Sequence, residues 1–221
     1  MMQKINIDFT ALGGIVCVMV NDANIYIKLR DAVKVAAGYP LRGSLEALPS
    51  GDVYLVQLKN MDLDSDVEWE SVNCVSLPSR RTPNWLTEED VIFAARGTKT
   101  LAYPLSNVPE KTVCAPQFFV LSANGNVQLS PRFLAWQLNQ KPAQDYLHRN
   151  ATGDHIRNIR RGVLEDLTIA VPPIDKQMSI VAFWQAAQKE RSLLNSLIEN
   201  RNSQLEALAT GLVRDGKEAR I

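Results

Sequence analysis

The sequence predicts an α/β protein: an irregular, strand-rich domain followed by one long C-terminal coiled-coil helix. Three observations predict it. Stepping three and then four residues from Gln177 gives Gln177, Ile180, Trp184, Ala187, Arg191, Leu194, Ile198, Arg201, Leu205, Leu208 and Leu212. All but Gln177, Arg191 and Arg201 are apolar, which is a heptad seam. Upstream, short apolar runs alternate with Gly, Pro and Asn turns, the pattern of strands. Between the two stretches stands Pro172-Pro173, a domain boundary.

Ile5, Ile7 and Phe9 alternate with polar residues, and Ile15 to Val20 reads as a second, buried strand. Ile25 to Leu29 continues a hairpin after the Asn21-Asp22 turn. A short helix is expected at Leu29 to Val33, then a loop at Gly38-Tyr39-Pro40. Strands follow at Val53 to Leu58 and Trp69 to Leu77, with an acidic turn, Asp62 to Glu68, between them. After the Pro78 to Trp85 loop come strands at Val91 to Ala95, Leu101 to Leu105 and Cys114 to Ser122. Ser130-Pro131 opens a helix, with Ser130 as its cap, and Pro142 bends or splits it. One more helical turn at Val163 to Leu167 and a strand at Thr168 to Val171 close the domain. The final helix runs from Asp175, which can cap its first turn, to about Val213, or about 57 Å. Such a helix is a spacer or a pairing surface; the plainer alternative is a terminal helix docked on its own domain.

The 221 residues suffice for one ordinary domain plus this helix, and 46% apolar content supports a real core. Zero formal net charge argues against a protein that coats nucleic acid without preference. Cys17, Cys74 and Cys114 have no C-x-x-C spacing and read as reduced thiols. Leu12 to Val20 is too short to span a bilayer, so the protein reads as soluble and cytoplasmic.

No catalytic constellation stands out. His148 and His155 lack partners at metal-ligand spacing. There is no phosphate-binding glycine loop, no dinucleotide fingerprint and no nucleophile elbow. Val171-Pro172-Pro173-Ile174 lacks the Asn and the aromatic of an adenine-holding Asn-Pro-Pro-Tyr motif. Asp62, Asp64 and Asp66 lack the following Gly and Glu of a calcium loop and read as a solvated turn.

The cations instead sit in loops between strands: Arg42, Arg80-Arg81, Arg96 with Lys99, and Arg149 with Arg157, Arg160 and Arg161. Glycines lie beside them, where backbone can approach a phosphate. Asn60, Thr82, Asn84, Thr98, Thr152, His155 and Asn158 lie alongside, and such side chains read base edges. Any one of these residues alone reads as a solvated rim. Several such loops in one strand-rich domain point to DNA.

Leu29-Arg30-Asp31-Ala32-Val33 with Gly38, then Val56 to Asp62, then Asp90-Val91-Ile92-Phe93 with Arg96-Gly97, then Ser130-Pro131-Arg132-Phe133-Leu134, come in a familiar order. The segment Gly153 to Ile159, then Leu164 to Pro173, then Gln177-Met178-Ser179-Ile180-Val181 completes the series. Together they resemble the specificity subunit of type I restriction-modification systems, from Lys28 to about Leu212. The resemblance implies a target recognition domain over 27–173, a long helix over 174–215, a tail at 216–221 and an extension at 1–26 of unclear role. Family members carry two recognition domains and two helices, so this chain resembles a half-length form.

The resemblance implies a non-catalytic, DNA-reading subunit of such a system or a related phage-defence system. It would bind a half-site of double-stranded DNA and dock a DNA adenine methyltransferase subunit. No cofactor is expected on this chain; S-adenosylmethionine belongs on the methyltransferase. In the family a translocating restriction subunit can join. DNA contact is assigned to Tyr39, Arg42, Asn60, Arg80, Arg81, Arg96, Thr98, Lys99, Thr152, Gly153, His155, Arg157 and Arg160. Helix pairing, with a second copy or another half-subunit, is assigned to Ile180, Trp184, Leu194, Ile198, Leu205, Leu208 and Leu212. One rival is an anti-restriction decoy that binds the methyltransferase without reading DNA. Another is an enzyme with degenerate motifs, which the missing signatures disfavour.

Overall fold

The computed structural model describes residues 25–40, 51–62, 67–77, 82–153 and 156–218, with 212–218 by backbone only. The strands expected at Ile5 to Phe9 and Ile15 to Val20 lie outside the described residues, as do Arg42, Arg80, Arg81 and His155. In chain order the elements are β1 (Ile25–Lys28), α1 (Leu29–Ala32), β2 (Val33–Ala37), β3 (Val53–Val56), β4 (Cys74–Val75), β5 (Asp90–Ala94), β6 (Arg96–Gly97), β7 (Ala102–Pro104), β8 (Thr112–Cys114), β9 (Phe118–Ala123), α2 (Pro131–Leu138), α3 (Lys141–Asn150), β10 (Arg157–Asn158), α4 (Arg161–Glu165), β11 (Thr168–Val171) and α5 (Ile174–Glu218).

A four-stranded antiparallel sheet, β2-β9-β5-β7, forms the centre. Side chains alternate across a strand, and β5 uses both faces. Val91 and Phe93 join one core with Val33, Val35 and Leu121 under the helices, a core that Leu134, Leu138 and Leu147 share. Ile92 and Ala94 join a second core with Leu55, Val56, Val75 and Val113 of the smaller sheet β4-β3-β8. Burial on both faces explains why Val91 to Ala95 reads as an unbroken apolar run. Asp90 starts that strand as a buried carboxylate, accepting from Thr87 N (2.8 Å), Thr87 Oγ1 (3.0 Å) and Ser122 Oγ.

Several expectations shift. Cys114 to Ser122 is two strands in different sheets, because Pro116 interrupts the run and Phe118 N bonds back to Ala115 O at 3.1 Å. Val53 to Leu58 ends at Val56, and Leu58–Asn60 forms a 3₁₀ turn in which Asn60 Oδ1 accepts from Gln57 N at 3.0 Å. Trp69 to Leu77 is a 3₁₀ turn followed by a two-residue strand. Among the described residues β1 pairs antiparallel with β11, Ile25 opposite Val171; the Asn21-Asp22 turn of the expected hairpin lies outside them. Pro142 does split the helix, into α2 and α3, and Ser130 does cap α2, its side chain accepting from Phe133 N at 3.5 Å.

The long helix begins one residue earlier than expected. Pro173 O accepts from Lys176 N and Gln177 N, so Pro173 takes the capping place and Asp175 sits in the first turn. Its 45 residues span about 67 Å. The first turns dock on the chain's own domain: Gln177 and Val181 are buried, Ile180 and Trp184 half-buried. From Lys189 to Thr210 every residue is exposed. Among the described residues no helix is long and apolar enough to cross a membrane, and no group of His, Cys, Asp and Glu is arranged to hold a metal ion.

Candidate nucleic-acid interface

The sheet register brings distant loops to one end of the domain. Ala37 and Phe93 both pair with Phe119, so β2 and β5 finish beside the start of β9. Beyond that edge, Gly38 N bonds Phe118 O, Tyr39 N bonds Cys114 O, and Ala95 N and Arg96 N both bond Gln117 O. The parallel pairing of β3 with β8 ends there too, where Ala115 N bonds Val56 O. Four segments therefore emerge together: Gly38 to Pro40, Gln57 to Met61, Ala95 to Lys99 and Ala115 to Gln117.

A fifth is added by β10. Arg157 pairs with Gly97 and Asn158 with Arg96, and Ile159 N extends the ribbon to Ala95 O at 2.8 Å. Facing residues of a ribbon share a face, and neighbours along a strand point oppositely. Arg96 and Asn158 thus share one face, and Arg157 stands over Gly97 on the other. Leu58 packs on Gly97, with a methyl 3.5 Å from where a Cβ would be.

Two glycines make these approaches possible. A Cβ on Gly38 would collide with the Ala115 carbonyl. Gly153 has φ +91°, and a Cβ there would collide with the Ile156 carbonyl. That tight loop is closed by Asn158 N to Thr152 O at 2.8 Å, Thr152 N to Asn158 O at 3.1 Å and Thr152 Oγ1 to Asn158 O at 3.2 Å.

The cations divide by how they are held. Arg161 pairs with Glu165 (2.7 Å), Arg30 with Asp166 (2.8 Å), and Lys141 with Asp145 (2.9 Å), whose carboxyl that hydrogen bond holds below its ordinary range. Arg149 Nε donates to Asp145 O at 3.1 Å. Arg157 Nη1 lies 2.8 Å from His148 Nε2. Arg96, Lys99 and Arg160 are exposed, with no ion pair or side-chain hydrogen bond among the described residues. The structure therefore gathers Arg96, Thr98, Lys99, Thr152, Gly153, Arg157 and Arg160 around one ribbon.

Other expected readers serve the fold. Tyr39 is only 8% exposed and packs in the second core, so its ring supports the loop rather than presenting a contact surface. Asn60 spends its Oδ1 on the turn it caps, and the Thr152 hydroxyl closes its own loop. Beside Tyr39 a cleft of about 350 Å³ opens, bordered by Gly38, Pro40, Cys114, Thr82 and Asn84. Two exposed residues of this end escape a sequence reading. Gln117 falls inside the run that reads as one strand, and Lys59 falls at the end of the strand expected to reach Leu58. The only available signal for Gln117 is Pro116 beside it, which forbids ladder pairing there.

No family model matches the chain, and no curated protein does. Solved structures do. The type I restriction-modification system S subunit from M. genitalium superposes with a TM-score of 0.54 at 19% identity, over 82% of this chain and 44% of that one. The HsdS subunit from Thermoanaerobacter tengcongensis gives 0.57 at 16%, over 81% and 46%. A chain solved in work on complex assembly and conformational transition of the type I R-M system gives 0.59 at 16%, over 86% and 44%. At these identities the likeness is one of fold: strand-rich sheets with a long C-terminal helix, the specificity-subunit fold. The chain spans less than half the length of each of these structures.

Proposed function

We propose that this chain is the DNA sequence-recognition subunit of a type I-like restriction-modification or related phage-defence system, acting in the cytoplasm. One observation carries the reading. In a domain with the specificity-subunit fold, the Arg96–Gly97 and Arg157–Asn158 segments, far apart in sequence, pair at the sheet end where other loops converge and where Arg96, Lys99 and Arg160 are exposed without an ion pair among the described residues. Cations free of internal partners suit phosphates, which fix register, and the neighbouring polar side chains suit base edges, which supply sequence.

On this reading the domain binds a half-site of double-stranded DNA and does no chemistry itself. The helix pairs with a second helix and docks an adenine methyltransferase. That partner holds S-adenosylmethionine and takes the target base out of the stack. A restriction subunit would join the same assembly.

The test is to express the chain with an adenine methyltransferase subunit of a type I system, co-purify the two, and sequence the methylation pattern left on a random DNA library. The expected result is a stable complex that methylates one motif, with no methylation by either protein alone. A complex whose DNA affinity is the same with and without this chain would leave the decoy function in its place.

A further inference from the structure

We propose that Gln177 is a positioning residue that fixes the direction of α5 relative to the DNA-reading end, and through it the spacing between half-sites. The spacing clause rests on the function proposed above; the orientation clause does not.

Heptad spacing places Gln177 on the apolar seam, yet its side chain faces inward and is fully buried. Its amide is used completely on the domain. Oε1 accepts from Ser130 N at 2.8 Å, and Nε2 donates to Gln128 O and to Pro172 O, each at 2.8 Å. Ser130 is the cap of α2, so the first turn of α5 is joined to the first turn of α2. A second glutamine completes the junction. Gln137, late in α2, donates to Ala170 O at 2.9 Å and accepts from Ala170 N at 2.8 Å, holding β11 just before Pro172-Pro173. The two ends of α2 thus grip the two sides of the strand-to-helix junction.

The apolar contact at this junction is thin. Val181 is the one buried apolar side chain of α5 among the described residues, with Ile174, Ile180 and Trp184 half-buried and Met178 and Phe183 exposed. Dispersion and burial alone are non-directional and permit a swivel; three hydrogen bonds to backbone atoms, two on the Gln128–Ser130 segment and one on Pro172, do not. The load path to the DNA end is short. α2 packs on β5 and β7, and β5 runs directly into Arg96. The lever is long. From Gln177 to Glu218 the helix runs about 60 Å, so a swivel of about 10° moves its tip by about 10 Å, the rise of about three base pairs.

The test replaces Gln177 by a side chain of similar shape without the amide, Gln177→Met. Nitroxides are placed at Lys34→Cys in β2 and Glu190→Cys in α5, with Cys17→Ser and Cys74→Ser, Cys114 being buried. Labelled chain is diluted with unlabelled chain, and the intramolecular distance distribution is measured. We expect a narrow distribution with Gln177 and one at least about twice as broad with Gln177→Met. Should Gln177→Met fail to fold, Ser130→Pro removes one of the three bonds at a residue whose φ of −70° suits proline, and broadening is expected there too. An unchanged width in the variant that folds overturns the proposal. In the methyltransferase complex, a library of half-sites with varied spacers should be methylated at one spacing with Gln177 and at several neighbouring spacings with Gln177→Met. Broadening with unaltered spacer choice overturns the spacing clause alone. Absence of any sequence choice by the wild-type complex overturns the proposed function and leaves the orientation result to stand or fall on the distances.

Discussion

Arg157 and His148 meet at the edge of the ribbon, guanidinium Nη1 2.8 Å from imidazole Nε2. A guanidinium only donates, so the contact is a hydrogen bond in the tautomer that leaves Nε2 as acceptor. The histidine aims the arginine. Arg157→Ala should lower the salt slope of specific DNA binding by about one. His148→Gln, which retains an acceptor, should bind nearly as the wild type does, and His148→Lys, which puts a cation beside a cation, should bind worse. Fluorescence anisotropy of the assembled complex across a salt series measures this. An unchanged slope in Arg157→Ala would remove that residue from the phosphate contacts.

Arg96 lies on the other face of the same ribbon, with Lys99 two residues beyond Gly97. Neither is held by a partner among the described residues, so replacing both should lower the slope by about two. Arg96 and Arg157 sit on adjacent rungs of the ribbon, on opposite faces, so any departure from additivity between the double and single changes measures their coupling. Folding stability should move by no more than about 0.5 kcal/mol, as for exposed positions without structural bonds. Urea melts alongside the binding series decide between lost contact and lost fold.

Gly153→Ala tests the loop that brings Arg157 into place. The new Cβ meets both a left-handed backbone and the Ile156 carbonyl. Strain of this kind costs on the order of 1–3 kcal/mol. The amide of Asn158, bonded to Thr152 O at 2.8 Å, should then exchange faster with solvent while β5 and β9 amides keep their protection. Equal exchange in variant and wild type would show that the loop closes without the glycine.

Much of this was legible residue by residue, and the partnerships were not. The unbroken apolar run of β5 announces a doubly buried strand, Ser130-Pro131 announces a capped helix, and Pro172-Pro173 announces the junction. Local pattern also singles out Arg96-Gly97 and Arg157 as basic turns. It cannot say that they pair, because ladder partners are chosen by the sheet register many residues away. The same limit hides the role of Gln177. A 3,4 spacing counts positions on a helix face, and that face turns from domain to solvent between Val181 and Lys189. Tyr39 shows the converse: the sequence places it in a loop, and the structure holds its ring in the second core.

Cys114 gives a pH prediction. Burial pushes its thiol from the ordinary 9.0 up to about 12. As pH rises past 9.0 the unfolded chain loses this proton first, so the contribution is complete below that pH and declines through the window to about 12. The slope is about 1.4 kcal/mol per pH unit. Burial raises Tyr103 in the same direction, so the comparison needed is wild type against Cys114→Ala. The variant should lose stability less steeply between pH 9 and 10.5. In the native protein at neutral pH, Cys114 should resist a disulfide reagent that reaches it freely in urea. Equal alkaline slopes, or rapid native labelling, would show the thiol is not sealed.

The last prediction concerns the outer part of α5. Leu194, Ile198, Leu205 and Leu208 are each more than half exposed, as are Leu193 and Leu197 beside them. Fully burying such a side chain is worth about 1.5–3 kcal/mol, so a helix with this stripe is strongly driven to a partner. Ile180 and Trp184 are already half-covered by the domain, and the fully exposed stripe begins near Leu193. The simplest closed assembly is two copies, antiparallel, about a two-fold axis. Arg191 and Arg201 suit such a seam better than a sealed core, since the guanidiniums can reach its rim. A two-fold protein reads a two-fold site, so the target should be a split palindrome, its halves separated by unread base pairs. Ile198→Asp with Leu205→Asp places charges in the middle of the stripe. It should convert a dimer into a monomer in sedimentation at micromolar concentration, leave the urea melt of the domain unchanged, and abolish palindrome binding while sparing a single half-site. A wild type that sediments as a monomer, alone and with the methyltransferase, and selects a contiguous target would sink the pairing and the palindrome together.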